Sequence, residues 1–199
     1  MNTSRSSSFY LSAIVPMYNE EKNIDVFFDR VFSVIKKLTP EYEIICVNDG
    51  STDTTLEKLL EYHRKNTAIK IINLSRNFGK ERALTAGLDY ARGDVVIPID
   101  ADLQDPPELI EELLHKWKEG YDVVYATRRV RRGESLMRRS ITAVFYILLN
   151  KLSDIPIPRD TGDFRLLDKR VVKALCQLPE SGRFMKGLFS WVGFKQTSI

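Results

Sequence analysis

The sequence predicts an α/β fold built on a mostly parallel sheet with helices on both faces. Three observations carry this. Short β-rich runs recur along the chain, stretches of helical periodicity separate them, and most runs end in a polar segment rich in acids, Asn or Gly.

The elements follow in order. The first run is LSAIVPMY at 11–18, the second YEIICVND at 42–49, the third IKIINLS at 69–75 and the fourth DVVIPID at 94–100. A fifth, DVVYAT at 122–127, extends the series. Between the first two, residues 19–38 set Ile24, Phe27, Phe28, Val31 and Ile35 at helical spacing. DPPELIEELLHKW, from Asp105, begins with prolines at the start of a helix, where a missing N–H costs little. Beyond Thr127 the charge character changes. RRVRRGESLMRR carries six arginines between 128 and 139, and two amphipathic stretches follow on either side of RDTGDFRLLDKR.

A chain of 199 residues, 43% hydrophobic and 29% charged, suits one folded domain with a substantial core. Thirty basic against twenty-seven acidic residues leave a net charge of only +3. No general polycation is present, so nucleic acid is not the expected partner. Cys46 lies in an apolar run and Cys176 near a helix end; without metal-ligand spacing, both read as reduced core residues. The longest apolar run, ITAVFYILL at 141–149, is too short to cross a bilayer. The ending FSWVGFKQTSI leads to the expectation that the natural chain continues.

Open parallel sheets bind ligands beyond the carboxyl ends of their strands. Those exits read PMYNE, VNDGSTD, LSRNFG and DADLQD. If the extended chain continues through Ala101, alternation turns Asp100 and Asp102 to one side, and two oxygen donors converge as a hard divalent cation such as Mg²⁺ or Mn²⁺ requires. Asp105 reads instead as a cap for the helix that follows. In VNDGSTD, Gly50, Ser51 and Asp53 read as turn and cap, leaving Asp49 to accept hydrogen bonds from a ligand such as the imide N–H of uracil. Pro16 and Tyr18 offer a wall for a base, with Asn19 as a helix cap. Gly79, with Arg76 and Lys80 nearby, either lets backbone approach a ligand or simply opens the next helix. His63 and His115 read as exposed.

The motifs IVPMYNE, VNDGSTD, LSRNFGKERAL, PIDADLQDPPE and DTGDFRLLD, in that order, resemble those of the inverting family 2 glycosyltransferases of the GT-A fold, whose sheet is Rossmann-like. More narrowly they resemble the polyprenyl-phosphate glycosyltransferases, a group that includes dolichyl-phosphate mannose synthase and the GtrB-type and ArnC-type enzymes. The resemblance runs from about residue 10, implying a flexible segment over 1–9 and a GT-A catalytic domain over 10–199. It implies that Pro16, Tyr18, Glu20 and Asp49 line a nucleoside pocket, that Gly79, Lys80, Asp100 and Ala101 adjoin the nucleotide-sugar, and that DAD is a DXD motif. Asp102 would be the direct ligand of Mg²⁺ or Mn²⁺, with Gln104 joining it.

The resemblance also implies a polyprenyl phosphate acceptor met at the cytoplasmic face of the membrane. Arg128 and Arg138 would be the acceptor-phosphate pair, since guanidinium groups bind phosphate bidentately. The other four arginines of the cluster read as a solvated basic loop facing anionic headgroups. Asp163 stands where related transferases carry a catalytic base, with Asp160 as the alternative. Amphipathic stretches near 138–152 (Ile141, Phe145, Leu148, Leu152) and 182–194 (Phe184, Leu188, Trp191) fit helices lying in a membrane interface, and a transmembrane region is expected after Ile199. UDP-glucose is the first donor expected, with UDP-N-acetylglucosamine, another UDP-sugar or GDP-mannose open; a homo-oligomer is compatible with this reading. The rivals are a sugar nucleotidyltransferase, for which the glycine-rich, lysine-ended loop is missing, and a noncatalytic nucleic-acid module built on the arginine cluster.

Overall fold

The structure, a computed structural model, describes Arg5, Ser8 to Thr127, Thr161 to Leu178 and Met185 to Ile199, the side chains of 161–163 and 186 excepted. Among the described residues seven strands form one sheet, in the order β3-β2-β1-β4-β6-β5-β7. They are β1 (Leu11–Met17), β2 (Tyr42–Asn48), β3 (Ile69–Asn73), β4 (Val95–Pro98), β5 (Val123–Thr127), β6 (Thr161–Asp168) and β7 (Gln196–Ser198). The first four pair in parallel, as do β5 and β7, whereas β6 runs antiparallel to both of its neighbours. The helices are α1 (Ile24–Leu38), α2 (Thr55–Lys65), α3 (Lys80–Tyr90), α4 (Ile110–Lys118), α5 (Lys169–Cys176) and α6 (Met185–Trp191).

Strand alternation divides the core between the two faces. Leu11, Ala13, Val15 and Met17 of β1 face a layer that includes Phe27, Phe28, Val31 and Ile35 of α1, Leu59 of α2 and Leu113, Leu114 and Trp117 of α4. Ile14, with Ile45 and Val47 of β2, faces Leu84 and Leu88 of α3, Val171 and Leu175 of α5, and Met185 and Phe189 of α6. The apolar stripe expected on the first helix is fully buried, each large side chain contributing about 1.5–3 kcal/mol. At Gly87 an added Cβ would stand 2.3 Å from Ile14 Cγ2, so the small residue sets how closely α3 lies on β1. Cys46 is buried, and its thiol is pushed far above the ordinary range by desolvation, as expected of an inert core residue.

Several expectations are corrected. The segment over 1–9 is not wholly loose: Phe9 packs edge-on against Trp117 in the core, and Arg5 ion-pairs with Asp122 at 2.6 Å and Asp168 at 3.1 Å. The helix predicted from Asn19 begins at Ile24, and the one predicted from Asp105 begins as a 3₁₀ turn at Pro107 with Pro106 in the cap position. Of the stripe expected to lie in a membrane interface near the C-terminus, Leu188 is half-buried and Trp191 is exposed, while the same helix packs Met185 and Phe189, outside that stripe, into the core. Phe184 and the whole stretch 138–152 lie outside the described residues. His63 is not a plain surface histidine, because its Nδ1 lies 2.6 Å from the carbonyl of Ile69.

Candidate functional site

The exits of β1, β2 and β4 meet at the carboxyl edge of the sheet and bound, with the start of α3, a cleft of about 290 Å³. From β1 come Pro16, Met17, Tyr18 and, just beyond, Glu20; from β2 comes Asp49; from β4 come Asp100, Ala101 and Asp102. Asn77, Gly79, Lys80 and Ala83 close the side formed by α3. Every residue expected beside the nucleotide-sugar thus borders one cavity. Met17, Asn77 and Ala83 were not expected there. Met17 ends an apolar strand and Ala83 lies one turn into a helix, positions with no polar signal, while Asn77 sits in the loop between Arg76 and Gly79.

Backbone hydrogen bonds lock the three exits together. The Asp49 N–H donates to the Met17 carbonyl at 2.8 Å, and the Ile99 N–H to the Ile14 carbonyl at 2.8 Å. The buried Asp49 accepts the N–H of Phe78 on Oδ1 at 2.7 Å and that of Gly79 on Oδ2 at 2.8 Å. Asp49 is therefore not simply waiting for a ligand. It already clamps the loop leading into α3, and a carboxylate that accepts two hydrogen bonds keeps further lone pairs. Gly50 makes this clamp sterically possible: at φ 66° an added Cβ would fall 2.3 Å from the Arg76 carbonyl carbon.

Asn19 does not cap α1. At φ 55° it bridges to the β2 exit, its N–H donating to Ser51 Oγ at 3.0 Å and its Oδ1 accepting the Thr52 N–H at 2.8 Å. The Glu20 and Glu21 amides donate in turn to Thr55 Oγ1 and Asp53 Oδ2. The turn and cap residues of VNDGSTD thus act across strands, fixing the floor against which Tyr18 stands exposed.

The approach of Asp100 and Asp102 has a different cause from the one expected. β4 stops at Pro98, and the chain turns over Asp100–Leu103, with the Leu103 N–H reaching the Asp100 carbonyl at 3.3 Å and Leu103 at φ 55°. Turn geometry, not strand alternation, brings both acids to the cleft. Asp102 Oδ1 accepts the Gln104 N–H at 3.1 Å, whereas Gln104 itself is exposed and does not border the cavity, so its proposed place as a metal ligand loses support. Lys80 Nζ lies 2.8 Å from Asp100. Among the described residues no cluster of three or more His, Cys, Asp or Glu could hold a metal unaided. Two carboxylates at a cleft mouth nevertheless suit Mg²⁺ or Mn²⁺, ions that take their remaining ligands from water and phosphate.

Asp163 lies within β6, and the antiparallel register of β6 on β4, Val95 with Asp168 and Val96 with Leu167, puts the start of β6 at the sheet edge where β4 leads into Asp100. Arg128, Arg138 and Asp160 lie outside the described residues, as does the Asp163 side chain. His115 is exposed and pairs with Glu119 at 3.0 Å.

A model of "Glycosyl transferase family 2" matches residues 12–176. The chain belongs to glycosyl transferase family 2. The uncharacterized glycosyltransferase sll0501 of Synechocystis sp. is 59% identical to this family 2 chain over 95% of it, and the chain covers 59% of that relative's length. The prophage bactoprenol glucosyl transferase homolog of Escherichia coli K12 is 43% identical over 93% of the chain, which covers 60% of that protein. Among solved structures, the mannosyltransferase PcManGT of Pyrobaculum calidifontis, in complex with GDP-Man and Mn²⁺, superposes with a TM-score of 0.67 at 20% identity, covering 96% of this chain and 55% of that one. That likeness establishes the expected GT-A fold. Among the described residues no helix is long and apolar enough to cross a membrane.

Proposed function

We propose that this chain binds a nucleotide-sugar and serves as the donor-binding catalytic unit of an inverting transferase that moves the sugar to a polyprenyl phosphate at the cytoplasmic face of a membrane. One observation carries the reading: Asp49 and the pair Asp100 and Asp102 stand around a single cleft with the start of α3 between them. The printed name of the relative from Escherichia coli, at 43% identity, supports the class of acceptor. UDP-glucose is the donor favoured, with other UDP-sugars and GDP-mannose as alternatives.

Each part has a physical task. Pro16 and Tyr18 supply a wall for the base, and the lone pairs Asp49 retains suit an imide N–H. The start of α3 borders the cleft, so Lys80 can approach the diphosphate there, where a helix N-terminus favours negative charge. Asp102, with Asp100 beside it, would hold Mg²⁺ or Mn²⁺. Such an ion supplies Lewis-acid stabilisation of the charge that develops on the departing diphosphate. Inversion requires the acceptor oxygen on the opposite face of the sugar, toward the start of β6. Arg128 and Arg138 would position the acceptor phosphate, and Asp163, or Asp160, would take a proton where the acceptor needs one.

A panel of UDP- and GDP-sugars, with Mn²⁺ or Mg²⁺ and a short polyprenyl phosphate, tests this on the full-length protein. Formation of glycosyl lipid with release of nucleoside diphosphate is expected. Pyrophosphate release would support nucleotidyl transfer instead, and turnover with a soluble sugar but not with the lipid would overturn the acceptor.

A further inference from the structure

Lys80 Nζ stands 2.8 Å from each oxygen of Asp100, so an ammonium already occupies the open side of a carboxylate that the proposed donor site places beside the metal. The two side chains are 46% and 30% exposed, and an ion pair that wet holds its partners weakly. The root of Lys80, in contrast, is fixed. Gly79 precedes it at φ 95°, the N–H groups of Phe78 and Gly79 are bound by Asp49, and the Gly79 carbonyl accepts the N–H of Ala83 at 3.1 Å. Four rotatable methylenes can therefore swing the ammonium within the cleft while its Cα stays in place. Asp102 borders the same cleft two residues from Asp100.

We infer that Lys80 is an exchange partner for the divalent ion: it neutralises Asp100 when no metal is bound, is displaced when the ion arrives, and then turns to the diphosphate. The inference rests on the donor-site reading and deepens it by assigning Lys80 two successive counter-charges. It is also a specificity device. With Lys80 on Asp100 the acidic pair carries one net charge fewer, so a divalent ion alone meets a competitor, whereas ion and diphosphate together supply the anion that draws the lysine away.

The consequence is a pair of opposite effects. Lys80→Met should tighten binding of Mn²⁺ alone by roughly three- to tenfold, by removing the competing cation, and should weaken UDP binding at saturating Mn²⁺ by about tenfold. A lysine that merely braced the loop would change neither affinity, and one that served the diphosphate alone would change only the second. Lys80→Arg, which keeps the charge, should stay near the parent in the first assay, and Asp100→Asn should weaken Mn²⁺.

The experiment is a titration of the full chain with MnCl₂, read by the electron paramagnetic resonance of free Mn²⁺, followed by calorimetric titration with UDP and, in parallel, GDP. Circular dichroism of each variant checks folding. Tighter Mn²⁺ with weaker nucleotide in Lys80→Met supports the exchange. Unchanged or weaker Mn²⁺ binding in that variant overturns the exchange while leaving the donor site standing. Absence of Mn²⁺ binding in parent and variants alike, with either nucleotide present, overturns the metal reading and the exchange together.

Discussion

Buried Asp49 holds the backbone of Gly79: its Oδ2 accepts the Gly79 N–H at 2.8 Å while its Oδ1 accepts the neighbouring Phe78 N–H at 2.7 Å. One carboxylate at the end of β2 therefore orients the start of α3, and with it the cleft wall that carries Lys80 and Ala83. Hydrogen bonds from N–H groups to a charged acceptor are the strong kind, and leaving both donors without one exposes their desolvation cost.

Asp49→Ala should accordingly lower stability by about 2–3 kcal/mol, and Asp49→Asn, which retains one acceptor oxygen, by about 1 kcal/mol. Urea denaturation checks both values. Nucleotide binding should fall further than stability alone dictates, because the loop bordering the cleft is released; calorimetric titration with UDP under conditions where the variants remain folded measures that part.

Gly50 and Gly120 both adopt positive φ, but an added Cβ meets the Arg76 carbonyl carbon at 2.3 Å at the first and open space at the second. Gly120→Ala should cost about 1 kcal/mol, the backbone penalty alone. Gly50→Ala should cost at least 2–3 kcal/mol, because two backbone segments must part. Comparison of the two melting temperatures separates steric from conformational cost; equal losses would refute the close approach.

Much of this architecture was legible because β1 to β5 are dense in β-branched residues, stop at polar turns and alternate with helical stripes such as Phe27, Phe28 and Val31. The donor side of the cleft was legible for the same reason, since sheet order brings Asp49 and Asp100 to one edge. β6 was not. Its sequence, TGDFRLLD, carries Arg165 at a position that is buried in the fold, where the guanidinium lies 4.1 Å from the centre of the Phe189 ring. A charge reads as a surface residue until an aromatic partner distant in sequence covers it. The turn after β4 was hidden for another reason: Leu103 adopts φ 55°, a region that leucine seldom visits and that no residue type there announces. The bridging role of Asn19 was equally silent, because Asn before a helix signals a cap whether or not it makes one.

At the opposite edge of the sheet Asp168 gathers the Trp117 indole N–H at 2.8 Å, the Arg170 amide at 2.9 Å and ion pairs to Arg5 and Arg170. Burial acts to raise its pKa, but these hydrogen bonds and charges outweigh it and hold the carboxyl below its ordinary value of 3.8. The folded state therefore binds the proton less readily than the unfolded chain. The stabilisation is complete above the unfolded pKa and is lost as pH falls through the folded one. Stability measured by denaturant should fall steeply below about pH 4, and Asp168→Asn should be less stable at neutral pH with a flatter acid limb. Parallel acid limbs would show that Asp168 is not the group responsible.

The two acids at the β4 exit differ in their surroundings, and that difference separates their expected losses. Asp100 is engaged by Lys80 at 2.8 Å, whereas Asp102 is exposed and accepts the Gln104 N–H at 3.1 Å within its own turn. If Asp102 is the direct ligand of the divalent ion, Asp102→Asn removes the charge the ion needs and leaves the Asx turn able to form, since an amide oxygen accepts the same hydrogen bond. Sugar transfer should then fall by a factor of about 10² or more, with stability nearly unchanged. Asp100→Asn should cost transfer less, because the ion would keep the Asp102 carboxylate. Added EDTA should abolish transfer by the parent, and Mn²⁺ or Mg²⁺ in excess should restore it. Rates from glycosyl-lipid formation across a metal titration decide the matter: Asp102→Asn should not recover at any Mn²⁺ concentration that saturates the parent, and full recovery would move the ligand role to Asp100.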